Sequence, residues 1–92
     1  MNIIKTIPHE QNNMIMCMAA LPRLHMLATG QIDGKVILWN IASQQKKWVY
    51  RQHTRGVLTL VYNETTFKLF SAGFDHQICI WNPYNSNLIN KL

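Results

Sequence analysis

Short runs of apolar and β-branched residues alternate with polar, turn-forming stretches along the chain. Runs of this length, bounded by Gly, Pro, Asn and Asp, are typical of β-strands joined by tight turns. In the second half of the chain the turn-forming stretches are residues 63–66, 73–76 and 82–87. The strands predicted between and after them cover residues 57–62, 67–72, 77–81 and 88–92.

The first half of the chain follows the same order of runs and turns. Residues 21–23 and 31–34 are its predicted turns, and an extended run at residues 3–7 precedes the pattern. The strands predicted here cover residues 14–19, 24–29, 35–39 and 45–51. Each half of the chain therefore predicts one meander of four antiparallel strands.

The two halves also repeat in sequence. Residues 33–40 read DGKVILWN, and residues 75–82, which lie 42 positions later, read DHQICIWN. A period of roughly 40–45 residues that ends in Trp-Asp, or in a close relative of it, is typical of one β-propeller blade. Trp39-Asn40 and Trp81-Asn82 stand where that dipeptide is expected, so the chain resembles the WD-repeat family along nearly all of its length.

The resemblance implies an all-β fold built from two four-stranded antiparallel propeller blades, which together form part of a WD-repeat β-propeller. Repeat 1 is expected at about residues 9–51 and repeat 2 at about residues 53–92. Residues 2–7 are expected to supply the outer strand of a preceding blade.

Four polar or amphipathic residues recur at matched positions in each half, and their spacing matches the structural tetrad of the family. The indole N–H donates only, so it suits a Ser or Thr hydroxyl, which in turn suits an imidazole whose second nitrogen faces a carboxylate. A hydrolase using the Ser-His-Asp part is rejected, because the set occurs twice and lacks a nucleophile elbow. The two sets are His9, Thr29, Asp33 and Trp39, and His53, Ser71, Asp75 and Trp81.

Composition predicts a folded chain without a membrane span. Hydrophobic residues make up 48% of it and charged residues 14%, against about 25% charged in typical globular chains. The longest apolar run, residues 14–21, is far shorter than the roughly 18 residues that a spanning helix needs. Cys17 and Cys79 lie in apolar runs and suggest reduced thiols in a cytoplasmic or nuclear protein. No metal-ligand spacing or cofactor motif is present, so we expect neither a metal nor a cofactor.

Apolar residues occupy the positions that, in the family, often line the ligand-binding top face. Because apolar residues at strand periodicity are usually core, packing against a neighbouring blade is the favoured interpretation. A protein or peptide partner is the alternative for these positions. They are Met14, Met16, Ile32, Leu58 and Phe74, with Gly56 beside them.

These features predict a non-enzymatic interaction scaffold with protein partners. The net charge of +5 raises an RNA-binding module as the alternative, although the basic residues are scattered. Two blades alone leave apolar faces uncovered, since propellers close with four to eight blades. The chain is therefore expected to be a fragment of a larger propeller, to self-associate, or to dock onto another chain.

Overall fold

The computed structural model describes residues 14–85 and 87–91, and it places them in two antiparallel sheets of four strands each. Both sheets are simple meanders in which each strand pairs with the next one along the chain. This confirms the predicted fold class. The strands of the first sheet are β1 (Ile15–Leu21), β2 (Met26–Gln31), β3 (Val36–Asn40) and β4 (Gln45–Tyr50). Those of the second sheet are β5 (Val57–Asn63), β6 (Lys68–Gly73), β7 (Ile78–Asn82) and β8 (Asn87–Lys91).

The two sheets also share a β-bulge at equivalent positions. A register shift falls between Leu38 and Trp39 where β3 pairs with β4, and another falls between Ile80 and Trp81 where β7 pairs with β8. Because these sites are 42 residues apart, each tryptophan follows an equivalent bulge. A bulge re-aims the side chains next to it and increases the local twist.

The turn between β1 and β2 lies about two residues later in the chain than the sequence pattern predicts. Pro22–Leu24 forms a single 3-10 turn, and His25 ends it in the left-handed region with φ 53°. Proline suits the first position of such a turn because its φ is already restricted. Strand β2 consequently begins at Met26, two residues later than expected. The predicted strand at residues 2–7 lies outside the described residues.

The main core lies between the two sheets. Leu38 from β3 and Leu69 from β6 are both 0% exposed. The rings of Tyr50 and Trp81 stack across the interface with their centroids 4.0 Å apart and their planes at 18°. At the other side of the interface, the Cys17 thiol donates to the Val57 carbonyl oxygen at 3.6 Å. Side chains of both halves thus form one continuous core.

Within residues 14–85 and 87–91, no helix has the length and apolar character needed to cross a bilayer.

Candidate functional site

The second repeat joins its four tetrad side chains into one chain of hydrogen bonds. Trp81 Nε1 donates to Ser71 Oγ at 2.9 Å, and Ser71 Oγ lies 2.8 Å from His53 Nε2. His53 Nδ1 faces the Asp75 carboxylate at 3.1 Å and 3.3 Å from its two oxygens. A carboxylate only accepts, so Nδ1 carries the proton and donates to it. Nε2 is then free to accept the Ser71 hydroxyl proton, and every member of the chain is satisfied.

Asp75 also holds the backbone around it. Its Oδ2 accepts from the Thr54 amide at 3.0 Å, and its Oδ1 accepts from the Gln77 amide at 3.3 Å. Burial by itself would raise the pKa of Asp75, but the hydrogen bonds from His53, Thr54 and Gln77 hold that pKa below its ordinary value. The carboxylate therefore ties the loop before β5 to the turn between β6 and β7.

For the first repeat the structure describes three of the four residues, Thr29, Asp33 and Trp39. Trp39 Nε1 donates to Thr29 Oγ1 at 2.8 Å, as its counterpart does in the second repeat. Asp33, however, accepts from the Lys35 amide at 3.1 Å and faces Lys35 Nζ at 3.3 Å. Its side chain is 31% exposed, whereas that of Asp75 is 4% exposed. His9 lies outside the described residues, so the structure brings together only Thr29 and Trp39 from this set.

The residue at position 73 distinguishes the second half from the first, although it belongs to neither matched set. A Cβ atom placed on Gly73 would lie 2.6 Å from Asp75 Oδ1 and 2.7 Å from His53 Nδ1, so the imidazole–carboxylate pair requires glycine there. The position 42 residues earlier is Gln31. The Gln31 side chain is fully buried, and neither its amide oxygen nor its amide nitrogen has a hydrogen-bond partner. The signal was available in the alignment of the two halves.

The five predicted partner-contact residues are all exposed in this chain. Backbone hydrogen bonds of 2.9 Å run from the Ile32 amide to the Met14 carbonyl and from the Phe74 amide to the Gly56 carbonyl. These bonds are 42 residues apart and fix the same end of both sheets. The exposed fractions are 61% for Met14, 38% for Met16, 48% for Ile32, 53% for Leu58 and 46% for Phe74.

A depression of about 420 Å³ opens at this end of the molecule, between the two sheets. It brings together three of the five residues, whereas Met14 and Leu58 do not line it. Arg55, one of nine basic residues in the sequence, is the charged residue among its described lining residues. We call this site the mouth depression; its lining residues are Met16, Ile32, Arg55, Gly56 and Phe74.

One face of the second sheet is uncovered. Val61, Phe70 and Ile80 lie in one row across β5, β6 and β7, because Phe70 pairs with both of the others. Val61 is 57% exposed, and Ile78 on β7 is 42% exposed. The residue of the first sheet equivalent to Ile78 is Val36, which is 0% exposed because it packs in the core between the sheets. We call this surface the open face; it comprises Val61, Phe70, Ala72, Ile78 and Ile80.

Ser71 is poorly placed for nucleophilic chemistry. Its side chain is fully buried, and its hydroxyl is already engaged by Trp81 and His53. A nucleophile must be within reach of a bound substrate. Among residues 14–85 and 87–91, no group of three or more His, Cys, Asp or Glu side chains could hold a metal ion.

A family profile and several known proteins are similar to this chain. The sequence profile described as "WD domain, G-beta repeat" matches residues 1–40 and 44–82. Cilia- and flagella-associated protein 337 B of Tetrahymena thermophila is 53% identical over 78 residues, which are 85% of this chain and 6% of that protein. U3 snoRNP-associated protein-like EMB2271 of Arabidopsis thaliana is 34% identical over 65 residues, which are 71% of this chain and 14% of that protein.

Solved structures share the fold. The structure of U3-55K superposes with a TM-score of 0.83 at 24% identity, over 92% of this chain and 26% of that one. The crystal structure of the RRP9 WD40 repeats superposes with a TM-score of 0.79 at 24% identity, over 85% of this chain and 24% of that one. The chain thus spans only a small part of the length of each of these four proteins.

Proposed function

The chain belongs to the WD40-repeat family, and from that premise we propose that it is a non-enzymatic interaction scaffold, working as two blades of a larger propeller inside the cell. Members of the family generally act as scaffolds for proteins or ribonucleoproteins. We assign repeat 1 to about residues 9–51 and repeat 2 to about residues 53–92. The first partner is a further blade, supplied by the same ring, by a second copy or by another chain.

The open face is the observation that carries this proposal. Of the positions equivalent by the 42-residue repeat, four are buried in the first sheet, where the second sheet covers them, and Ala19 is partly buried; the four are Ala28, Gly30, Val36 and Leu38. In the second sheet the same positions carry apolar side chains, such as Val61 and Ile78, that remain exposed. A contiguous apolar face of this kind is typical of a surface that another protein element covers. Its natural cover is a third sheet packed as the second sheet packs on the first.

The test is Ile78→Glu in the full protein, with Ile89→Glu as the matched control. Ile78 is 42% exposed on the open face, and Ile89 is 48% exposed at the bulge of the outer strand. The residue equivalent to Ile89 is Lys47, which stays exposed although its sheet is covered. A charge at Ile78 should therefore prevent a neighbour from packing, whereas one at Ile89 should not.

Light scattering on the purified protein and thermal unfolding measure the outcome. If the neighbouring blade comes from another chain, we expect Ile78→Glu to reduce the assembled mass. If the ring closes within one chain, we expect Ile78→Glu to lower the melting temperature. Ile89→Glu should leave both quantities unchanged. Identical behaviour of the two variants would contradict the proposal.

The setting of the scaffold is proposed from its relatives. Cilia- and flagella-associated protein 337 B shares 53% identity over 85% of this chain, so we propose that this protein also associates with cilia or flagella. Co-fractionation of the tagged protein with isolated cilia tests this. Recovery in the cell body alone, from a ciliated cell, would count against it.

Protein partners are favoured over RNA by the distribution of charge. Arg23 lies in the turn at one end of the first sheet, Lys47 lies on its outer strand, and Arg55 lies at the opposite end. A nucleic-acid surface needs several cations along one groove. Tight oligonucleotide binding that falls steeply with salt would therefore overturn the preference for protein partners.

A further inference from the structure

We propose that the exposed rings of Phe67 and Tyr84, together with the Glu64 carboxylate, bind a methylated lysine side chain of a protein partner. The inference rests on the proposed scaffold function and names the chemistry of one partner. Phe67 belongs to the β5–β6 turn and Tyr84 to the β7–β8 turn, so both lie at the end of the second sheet opposite to the mouth depression. We call this pair of rings the aromatic corner.

The aromatic corner presents two ring faces at nearly a right angle. The ring centroids are 5.6 Å apart, and the ring planes meet at 71°. Phe67 is 41% exposed and Tyr84 is 53% exposed, so solvent reaches both side chains. The face of an aromatic ring carries partial negative charge and attracts a cation that lies within about 6 Å of the ring centroid. Two faces at this angle can contact one cation at the same time.

The backbone of Phe67 has a conformation that an aromatic residue rarely adopts. Its φ is 57°, and the left-handed region is an outlier for bulky side chains. His25, which lies 42 positions earlier, has φ 53°, so the turn imposes this conformation in both halves. Glycine would adopt it without strain. Strained residues of this kind cluster at binding and catalytic sites, and Phe67 therefore indicates a role for its exposed ring.

The Glu64 carboxylate supplies the charge that complements a cation. Glu64 lies in the same turn as Phe67, three residues before it. The other carboxylates in the described part of the chain have cationic or imidazole partners, because Asp33 faces Lys35 and Asp75 faces His53. No ion pair to Glu64 forms within that part of the chain. Its charge is therefore available to a ligand.

Tyr62 shows that the carboxylate and the aromatic corner lie near each other. Burial raises the pKa of the Tyr62 hydroxyl, the side chains of Tyr84 and Glu64 raise that pKa further, and Arg23 opposes them. One hydroxyl is thus within electrostatic range of both Tyr84 and Glu64. Arg23 forms no cation–π contact with either ring of the corner, since the contact found between residues 14 and 91 joins Lys46 to Trp39.

A methylated ammonium group suits this site better than other cations. An unmethylated lysine ammonium is compact and strongly hydrated, so an exposed site gains little by removing it from water. Methylation keeps the positive charge and adds apolar surface that the two rings can contact. The net charge of +5 also opposes partners that carry several cations, and so favours a single one.

The experiment is an NMR titration of the full protein, labelled at its phenylalanine and tyrosine rings, with the capped peptide Gly-Ala-Lys-Ala-Gly trimethylated at its lysine. We expect the signals of Phe67 and Tyr84 to shift on titration. The Phe74 signal should stay in place, because Phe74 is similarly exposed, at 46%, but lies at the opposite end of the sheet.

Two further peptides separate the contributions of charge and methylation. The unmethylated peptide and the neutral isostere, in which carbon replaces the ammonium nitrogen, should each bind about fivefold more weakly or worse. Phosphocholine carries the same trimethylammonium group on a lipid head group. Tighter binding of phosphocholine than of the trimethylated peptide would overturn lysine as the source of the cation.

Phe67→Gly and His25→Gly form the matched pair of variants, because each places glycine at a left-handed position of an equivalent turn. Phe67→Gly should weaken binding by about tenfold, read from the Tyr84 signal, and should leave the melting temperature unchanged or higher because it relieves the positive φ. His25→Gly should bind within about twofold of the original protein.

The charges near the corner provide a second pair. Arg23→Gln should strengthen binding by about twofold, because it removes the cation that opposes Glu64 at this end of the molecule. Arg51→Gln changes the net charge equally but follows β4 at the opposite end, so it should have a smaller effect.

Several outcomes would overturn the inference. They are equal affinities for the trimethylated peptide and either of its analogues, unchanged binding by Phe67→Gly, or no shift of Phe67 up to about 10 mM peptide. A lower melting temperature of Phe67→Gly would instead assign the strained ring a structural role. Failure here leaves the open-face test untouched, because Ile78 lies on β7 and in neither turn. Conversely, a negative result with Ile78→Glu would not remove a shift of Phe67.

Discussion

Gly73→Ala should break the imidazole–carboxylate pair of the second repeat by adding a single methyl group. The new Cβ would lie 2.6 Å from Asp75 Oδ1 and 2.7 Å from His53 Nδ1, closer than non-bonded carbon contacts allow. Both atoms belong to side chains that other bonds hold in place, so neither can move without loss. Asp75 would release His53, the Thr54 amide, or both.

The expected loss in the free energy of unfolding follows from the hydrogen bonds that Asp75 accepts. Hydrogen bonds to a charged group contribute about 1.5–3 kcal/mol each, and Asp75 accepts one from His53 and one from the Thr54 amide. Partial relaxation should preserve one of them. Replacing glycine also restricts the unfolded chain, and this offsets about 0.4–1 kcal/mol of the loss. We therefore expect a net loss of about 2 kcal/mol in the free energy of unfolding.

Equilibrium unfolding in urea, followed by tryptophan fluorescence, measures this loss. Gly56→Ala is the matched control, because its nearest contact of 3.1 Å needs only a small adjustment. In an Asp75→Ala background the Gly73→Ala change should cost much less than it does alone, since the two act through one network. Equal costs in both backgrounds, or no cost in either, would refute the reasoning.

Three further predictions concern other buried groups. Tyr50→Ala should lose about 3–5 kcal/mol of stability in urea unfolding, because it removes the ring that stacks on Trp81. Tyr50→Phe should be neutral or slightly stabilising, because the buried Tyr50 hydroxyl has no hydrogen-bond partner. Because hydrogen bonds from His53 and from backbone amides lower the pKa of folded Asp75, its contribution to stability is present above the unfolded pKa and is lost as the pH falls through the folded pKa. Asp75→Asn should remove that part of the pH dependence of the melting temperature. Gln31→Leu should raise the melting temperature, with a gain of about 1 kcal/mol, because it replaces an unpartnered buried amide by an apolar group of similar size; a lower melting temperature would contradict this.

The strands could be predicted because each is a local pattern. The predicted starts at Val57 and Gln45 coincide with the observed starts of β5 and β4, and the other ends differ by one or two residues. The differences of two residues lie in β1 and β2, which flank the 3-10 turn, and include the start of β2 at Met26. Hydrophobic periodicity records which face of a strand is buried, but it does not record how the backbone turns between strands.

The sequence predicts only some of the residues that line the mouth depression. The resemblance to the family predicts Met16, Ile32 and Phe74 at this surface, whereas the sequence offers Arg55 only as one basic residue among nine. The position of Arg55 beside the depression depends on a contact between the sheets, because the Gly34 turn of the first sheet packs against the loop that precedes β5. Such contacts join residues that are distant along the chain and carry no local signal.

The two matched aspartates show why residue types at equivalent positions are insufficient to predict every contact of a side chain. Asp33 and Asp75 occupy equivalent positions, yet one faces Lys35 at the surface and the other faces His53 in the interior. Two residues before Asp75, Gly73 leaves room for the imidazole and the carboxylate, whereas the equivalent residue of the first half is Gln31, whose side chain is buried. The His53–Asp75 pair therefore depends on a residue that carries no polar side chain and belongs to neither matched set. Because Asp75 also accepts from the Thr54 amide, Gly73 helps to hold the loop beside which the mouth depression forms.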